Sequence, residues 1–229
     1  MLLESAQRHY QGEAGRRYQQ DKRGIPEPAV AWVARLRAEK LAPFIRPSDT
    51  VLEYGVGLGW NMAALTCRRK LGFDVADFLE SALTAQGIEP VADTKTLTDG
   101  AVDVVLCHHT LEHVLDPPAV LQEIRRLLAP GGRLLLFVPF EREGRYRRFD
   151  PQEPNHHLYS WNAQTLGNLA QELGFRVEKA GCGEFGYSRF AAVWACKLHA
   201  GETGFRAIRR LLHILKPGRE VRLIAVKTT

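Results

Sequence analysis

Six consecutive residues concentrate the chemistry of this chain: His108-His109-Thr110-Leu111-Glu112-His113. If a helix begins near 109, then His109, Glu112 and His113 stand at i, i+3 and i+4 and share one face. Two imidazoles and a carboxylate so placed can relay a proton or hold a divalent ion. His156 and His157 follow in a later polar loop and could join them. A second constellation lies upstream, where Glu53 precedes Gly55-Val56-Gly57-Leu58-Gly59, and Asp74 follows about twenty residues on. Glycine tolerates positive φ and lets backbone approach a ligand closely. The dinucleotide fingerprint needs its third glycine at position 60, which is Trp60. A carboxylate at Glu53 suits an ammonium or a sulfonium better than a pyrophosphate, and Asp74 suits ribose hydroxyls. The pattern asks for a nucleoside bearing positive charge and argues against a nicotinamide oxidoreductase.

The surrounding elements place both constellations. Short apolar segments at 51–54, 71–75, 88–92, 102–107 and 133–138 alternate with helical patterns at 60–69, 77–86 and 117–128. Near-continuous apolar strands alternating with amphipathic helices imply a parallel sheet covered on both faces. A helix is expected from Pro26, ended by Pro43 and Pro47, while residues 1–25 are polar and lack a period. Residues 139–160 form a long polar loop beyond the fifth strand, at the sheet edge where ligands bind, so it is expected to serve the substrate. A helix at 162–173, a strand at 175–180, an insertion at 181–218 with one or two helices, and a last strand at 221–227 complete the chain. The expectation is a single domain over 1–229, with 1–48 an N-terminal helical segment.

Composition sets outer bounds. The 229 residues are 45% hydrophobic and 25% charged, ordinary for a globular domain. No apolar run has the length of a membrane span, and no secretory signal is seen. Cys67, Cys107, Cys182 and Cys196 are scattered, which fits reduced thiols and a cytoplasmic setting. The net charge of +5 is too small to mark a nucleic-acid binder, and no DNA partner is expected. Arg142, Arg145, Arg147 and Arg148 cluster in the substrate loop and would suit a phosphate or carboxylate. Residues 205–215 are amphipathic and basic. They could touch anionic lipid, though such a helix more often covers a sheet.

The segment Val51–Asn61 resembles the first motif of class I S-adenosylmethionine-dependent methyltransferases, with Glu53 where Asp is commoner. The resemblance continues in register to about residue 180. Gly72-Phe73-Asp74 is similar to the ribose-acid segment, and Val91-Ala92-Asp93-Thr94 to the segment bordering adenine. Residues 102–117 and the Pro130-Gly131-Gly132 run are similar to the fourth-strand and fifth-strand motifs. Residues 155–175 are similar to the segment leading into the sixth strand. It implies an α/β Rossmann-like fold, a seven-stranded, mostly parallel sheet with helices on both faces and an antiparallel last strand. It implies S-adenosyl-L-methionine as cofactor. Glu53 would face its methionine amine, Gly55, Gly57 and Gly59 would pass beneath it, and Asn61 would contact the methionine end. Asp74 would take the ribose diol, Asp93 and Thr94 would border the adenine, and backbone at Cys107 and His108 would line the reactive end.

The histidines admit three readings. Glu112 and His113 can be structural. His113 or His157 can be a general base for an acceptor hydroxyl. His109, Glu112, His113 and His157 can hold a metal, since the segment is similar to the E-x-x-E-H motif of ubiquinone-pathway and small-RNA O-methyltransferases. His109 stands for the first Glu there, which favours a transition ion over magnesium. O-methylation of a polar or anionic small molecule or sugar is the leading expectation, with RNA possible through the metal motif. The same residues spell the H-x-x-E-H of a zinc hydrolase, a reading that leaves the glycine loop and Asp74 unexplained.

Overall fold

The computed structural model describes residues 9–141, 148–151, 153 and 155–228. Helix α1 (Gly12–Arg23) and helix α2 (Glu27–Leu41) precede a sheet of seven strands. In chain order these are β1 (Thr50–Tyr54), β2 (Arg69–Phe73), β3 (Glu89–Val91), β4 (Val102–His108), β5 (Leu128–Pro139), β6 (Phe175–Glu184) and β7 (Arg219–Lys227). Between them lie helices α3 (Glu80–Thr84), α4 (Pro117–Leu127), α5 (Ala163–Glu172), α6 (Ser188–Lys197) and α7 (Gly201–Leu215).

The strand order is β3-β2-β1-β4-β5-β7-β6. The first five strands pair in parallel, and β7 runs antiparallel to both β5 and β6. The expected Rossmann-like sheet with an antiparallel last strand is therefore the observed one. Strand order reverses between β1 and β4, which opens a crevice beyond their carboxyl ends. The glycine loop leaves β1 there and the histidine run leaves β4.

Apolar periodicity explains the layers. One core holds Leu52, Val105, Leu121, Ile124, Leu134, Leu136, Leu166 and Leu223, beneath α4 and α5. The opposite face holds Val51, Met62, Leu106, Leu135 and Phe137 against Leu41 of α2. Each such buried side chain contributes about 1.5–3 kcal/mol. Asp116 caps α4 by accepting from Ala119 N at 2.9 Å, with Pro117 in the first turn, where its missing N–H costs nothing. Ala29 and Val33 of α2 pack against Ala191, Ala192 and Ala195 of α6 and Phe205 of α7.

Two sequence expectations need correction. No helix spans 60–69; the chain makes a single turn closed by Ala63 N to Gly59 O and then returns to β2. The reason is local: Asn61 is bound to Glu53, Met62 and Leu65 are drawn into the core, and Arg68 N bonds Asp49 O to start the strand. Within the polar N-terminal stretch Gly12–Arg23 forms α1, in which Gly15 is buried. Strand β5 runs through Pro130-Gly131-Gly132, with an irregularity opposite Val102–Val104.

Candidate functional site

A cleft of about 1370 Å³ opens at the carboxyl edge of β1, β4 and β5. Its walls come from the glycine loop, the ends of β2 and β4, α2, the loop after β5, and the segment joining β6 to α6. Tyr10 and Gln19 reach it from the N-terminal segment.

The β1 side is built around one buried carboxylate. Glu53 is 0% exposed. Asn61 Nδ2 donates to its Oε1 at 2.5 Å, and Arg37 Nη1 donates to Asn61 Oδ1 at 3.0 Å. Glu53 Oε2 has no hydrogen-bond partner among the described residues. Burial pushes the Glu53 carboxyl up to about 8, against the pull of Asn61 and Arg37. A buried carboxylate left half-satisfied is costly unless a ligand brings a donor or a positive charge. Asn61 and Arg37 form the cleft wall in front of it.

Asp74 follows β2 and accepts from Gly57 N at 2.7 Å and Ala76 N at 3.0 Å. Burial raises its carboxyl above the ordinary value, and the backbone donors only partly offset that. Gly57 has φ of +51°, and a Cβ there would meet nothing closer than Gln19 Nε2 at 3.7 Å, so its backbone stands open to the cleft. Gly59 has φ of +73° for another reason: a Cβ would strike Ile88 Cδ1 at 2.6 Å. Gly59 is therefore a packing glycine outside the cleft lining, whereas Gly55 and Gly57 line it. Thr94 lines the cleft and is buried. Asp93 is exposed, caps a short 3-10 turn through Lys95 N at 2.9 Å, and does not line it. The Cys107 side chain lies in the core, where burial pushes its thiol up, while His108 reaches the cleft wall.

The histidine run does not share one helical face. His109 has φ of +54°, and only Leu111–His113 form a single 3-10 turn. The left-handed residue splits the group in two. His109 and His108 stack with ring centroids 4.4 Å apart, and their Nε2 atoms lie 3.5 and 3.6 Å from Glu220 Oε2. Lys40 Nζ donates to Glu220 Oε1 at 2.9 Å, as Arg222 Nε does at 2.7 Å. Burial holds both imidazoles below their ordinary value, reinforced by Lys40 at His108 and opposed by Glu220 at His109. Burial also lowers Lys40 to about 8 against the pull of Glu220. Burial opposes ionisation of Glu220, yet His109 and Lys40 leave its carboxyl below the usual range.

The other half gathers Glu112, His113 and His157, whose donor atoms lie within 4.8 Å of one another. His157 Nδ1 pairs with Glu141 Oε1 at 2.6 Å, and Ser160 Oγ donates to the other Glu141 oxygen. His113 Nδ1 pairs with the Tyr10 hydroxyl at 2.7 Å, and the two imidazoles meet edge to face at 4.9 Å. Three of the four expected metal-site residues thus converge and His109 does not, which also dismantles the H-x-x-E-H hydrolase reading. Arg142, Arg145 and Arg147 lie outside the described residues; Arg148 is exposed.

Sequence reasoning missed Arg37, Lys40, Tyr10, Glu141 and Glu220. Arg37 and Lys40 sit at i and i+3 on α2, a spacing that marks a shared face and could have flagged them. Glu220 carries no local signal, since the insertion of β7 between β5 and β6 brings it in.

A family described as a methyltransferase domain matches residues 25–180. A Mycolicibacterium smegmatis protein named "probable S-adenosylmethionine-dependent methyltransferase" is 31% identical over 137 residues. That match takes in 56% of this chain and 52% of the relative, so the chain spans about half the length of this relative. The Haemonchus contortus phosphoethanolamine N-methyltransferase 2, solved with phosphomonomethylethanolamine and S-adenosylhomocysteine, superposes with a TM-score of 0.59 at 16% identity. The match covers 85% of this chain and 53% of that one. The [4+2]-cyclase SpnF gives 0.60 at 20% identity, over 86% and 81% of the two chains. These structural likenesses show the fold alone, and a cyclase among them means that chemistry must be argued from the site.

Proposed function

The chain belongs to the class I S-adenosylmethionine-dependent methyltransferases, and from that premise we propose that it methylates an oxygen of a polar or anionic small molecule. One observation carries the cofactor assignment: the buried Glu53 carboxylate, with an oxygen lacking a partner, at the foot of an open glycine loop. A cofactor with an ammonium group and a sulfonium fits that electrostatic need, whereas a pyrophosphate does not. Glu53 and Asn61 would hold the methionine end, Gly55 and Gly57 the passage beneath it, Asp74 the ribose diol and Thr94 the adenine border. S-adenosylmethionine supplies, when bound, a methyl group already activated for displacement.

What remains for the chain is to align the acceptor and take its proton. His157 is the general base in this reading. Glu141 at 2.6 Å fixes its orientation, the relation of base to orienting carboxylate seen in acyl-transfer triads. His113, held by Tyr10, forms the adjoining wall. At the other end of the cleft Lys40, Arg209, Arg219 and Arg222 face in, with Glu39 and Glu184 as the acidic side chains of that lining. Arg209 and Arg219 have no ion-pair partner among the described residues, which favours an acceptor carrying carboxylate or phosphate. A cytoplasmic setting fits the four unpaired cysteines.

Metal-assisted O-methylation is a second reading, favoured by the convergence of Glu112, His113 and His157. The test is release of S-adenosylhomocysteine over a panel of hydroxylated carboxylates, sugar phosphates and amines, with and without EDTA. Turnover restricted to anionic hydroxyl compounds supports the proposal. Turnover restricted to amines overturns O-methylation, and loss with EDTA selects the metal reading.

A further inference from the structure

We propose that the paired helices α6 and α7 form a docking surface for membranes rich in anionic lipid. Ten large apolar side chains are exposed among the described residues, and six belong to this pair and the turn that joins it: Phe190, Trp194, Leu198, Leu211, Ile214 and Leu215. They are ordered by helical spacing. Phe190, Trp194 and Leu198 stand at i, i+4 and i+8, and Leu211, Ile214 and Leu215 at i, i+3 and i+4, so each triplet makes a stripe. The inward faces are already spent. Ala191, Ala192, Ala195 and Phe205 pack on α2, and His213 lies edge-on to Tyr187 at 5.1 Å. Ile214 and Leu215 are 70% and 71% exposed and stand in an ordered stripe, unlike singly scattered apolar residues.

Charge identifies the occupant. Residues 188–219 hold seven basic side chains against one acid, Glu202, so this segment alone carries net +6 where the whole chain carries +5. Arg206 is tied to Glu39 and Glu202, but Lys197, Arg210 and Lys216 are exposed and border the apolar stripes in sequence. Lys197 Nζ lies 5.4 Å from the Trp194 ring centroid. Apolar stripes bordered by long basic side chains match a headgroup boundary, with apolar groups inserted and cations beside lipid phosphates. A second copy of the chain would set Lys197, Arg210 and Lys216 against the same basic side chains, so self-association by this face is disfavoured. The surface adjoins the cleft, since Ser188 and Arg189 of α6 and Arg209 of α7 line it. Among the described residues no helix is long and apolar enough to cross a membrane, so the contact is with its surface.

The experiment is co-sedimentation of the full chain with vesicles of phosphatidylcholine alone or mixed with phosphatidylglycerol, with Trp fluorescence as a second readout. The wild type should sediment with the mixed vesicles at low salt, with a blue-shifted emission, and remain in solution with phosphatidylcholine alone. High salt should release it. R210E/K216E should weaken binding by at least about thirtyfold, from roughly a fivefold loss per basic residue near the surface. L211S/I214S/L215S should abolish the blue shift while near-ultraviolet circular dichroism stays native, because these side chains are exposed. No sedimentation of the wild type with anionic vesicles overturns the proposal. So does equal binding by both variants, or a dimer in ultracentrifugation that the serine variant dissolves without any vesicle binding.

Discussion

Glu53→Gln keeps the shape of a buried side chain and removes its ionisation. Burial takes the carboxyl from 4.5 to about 8. That gap of about 3.5 units corresponds to about 5 kcal/mol against the ionised form at high pH. The folded state binds this proton more tightly than the unfolded chain, so the Glu53 contribution to stability falls as pH rises from about 4.5 to about 8. Between about pH 5.5 and 7.5 the loss is on the order of 2–3 kcal/mol. For a chain of this size that is roughly 5–10 °C in melting temperature. E53Q should therefore melt close to wild type near the lower pH and several degrees above it near the upper one, in the free protein. Cofactor binding should move the other way. A cationic ligand draws the Glu53 proton off, so wild-type affinity for S-adenosylhomocysteine should rise with pH toward 8 and binding should release a proton. E53Q should bind at least tenfold more weakly, without that pH dependence. Thermal melts across pH, and calorimetry in buffers of different ionisation enthalpy, measure both. A variant with the wild-type pH slope of stability, or with undiminished affinity, refutes the assignment of Glu53.

His157→Ala should lower kcat by about 10²–10⁴-fold with S-adenosylhomocysteine affinity unchanged. Glu141→Gln should cost less and shift the pH profile of kcat/KM, which a merely structural role for Glu141 would not do. Asp74→Asn should weaken S-adenosylhomocysteine and 5′-methylthioadenosine alike, whereas E53Q should affect only the former, since methylthioadenosine lacks the amino-acid end. Gly57→Val should abolish cofactor binding and also destabilise the fold by about 1–2 kcal/mol, because an L-residue is strained at positive φ. Calorimetry and chemical denaturation separate the two effects.

The sheet was legible because its strands are near-continuous apolar runs, and the β1 side of the site because glycine, acid and strand stand in fixed order. The N-terminal and histidine-bearing regions were not legible in the same way. Helix α1 has no apolar stripe to betray it; Tyr10, just before it, lies across the cleft against His113. The expected helix after the glycine loop gave way because the Asn61–Glu53 bond and the burial of Met62 hold a tighter turn. His109 could not be separated from Glu112 by spacing, since its left-handed backbone is a conformation few non-glycine residues adopt. Glu220 comes from the last strand, 111 positions from His109 in the numbering, and only sheet topology brings the two together.

The glycine loop after β1 is assigned to a positively charged nucleoside donor. Isothermal calorimetry of the folded wild-type chain with S-adenosylmethionine, S-adenosylhomocysteine and NAD measures this most directly. Saturable one-to-one binding of the first two and none of NAD is the expected result. Saturable NAD binding, or no heat with either sulfur nucleoside, contradicts it.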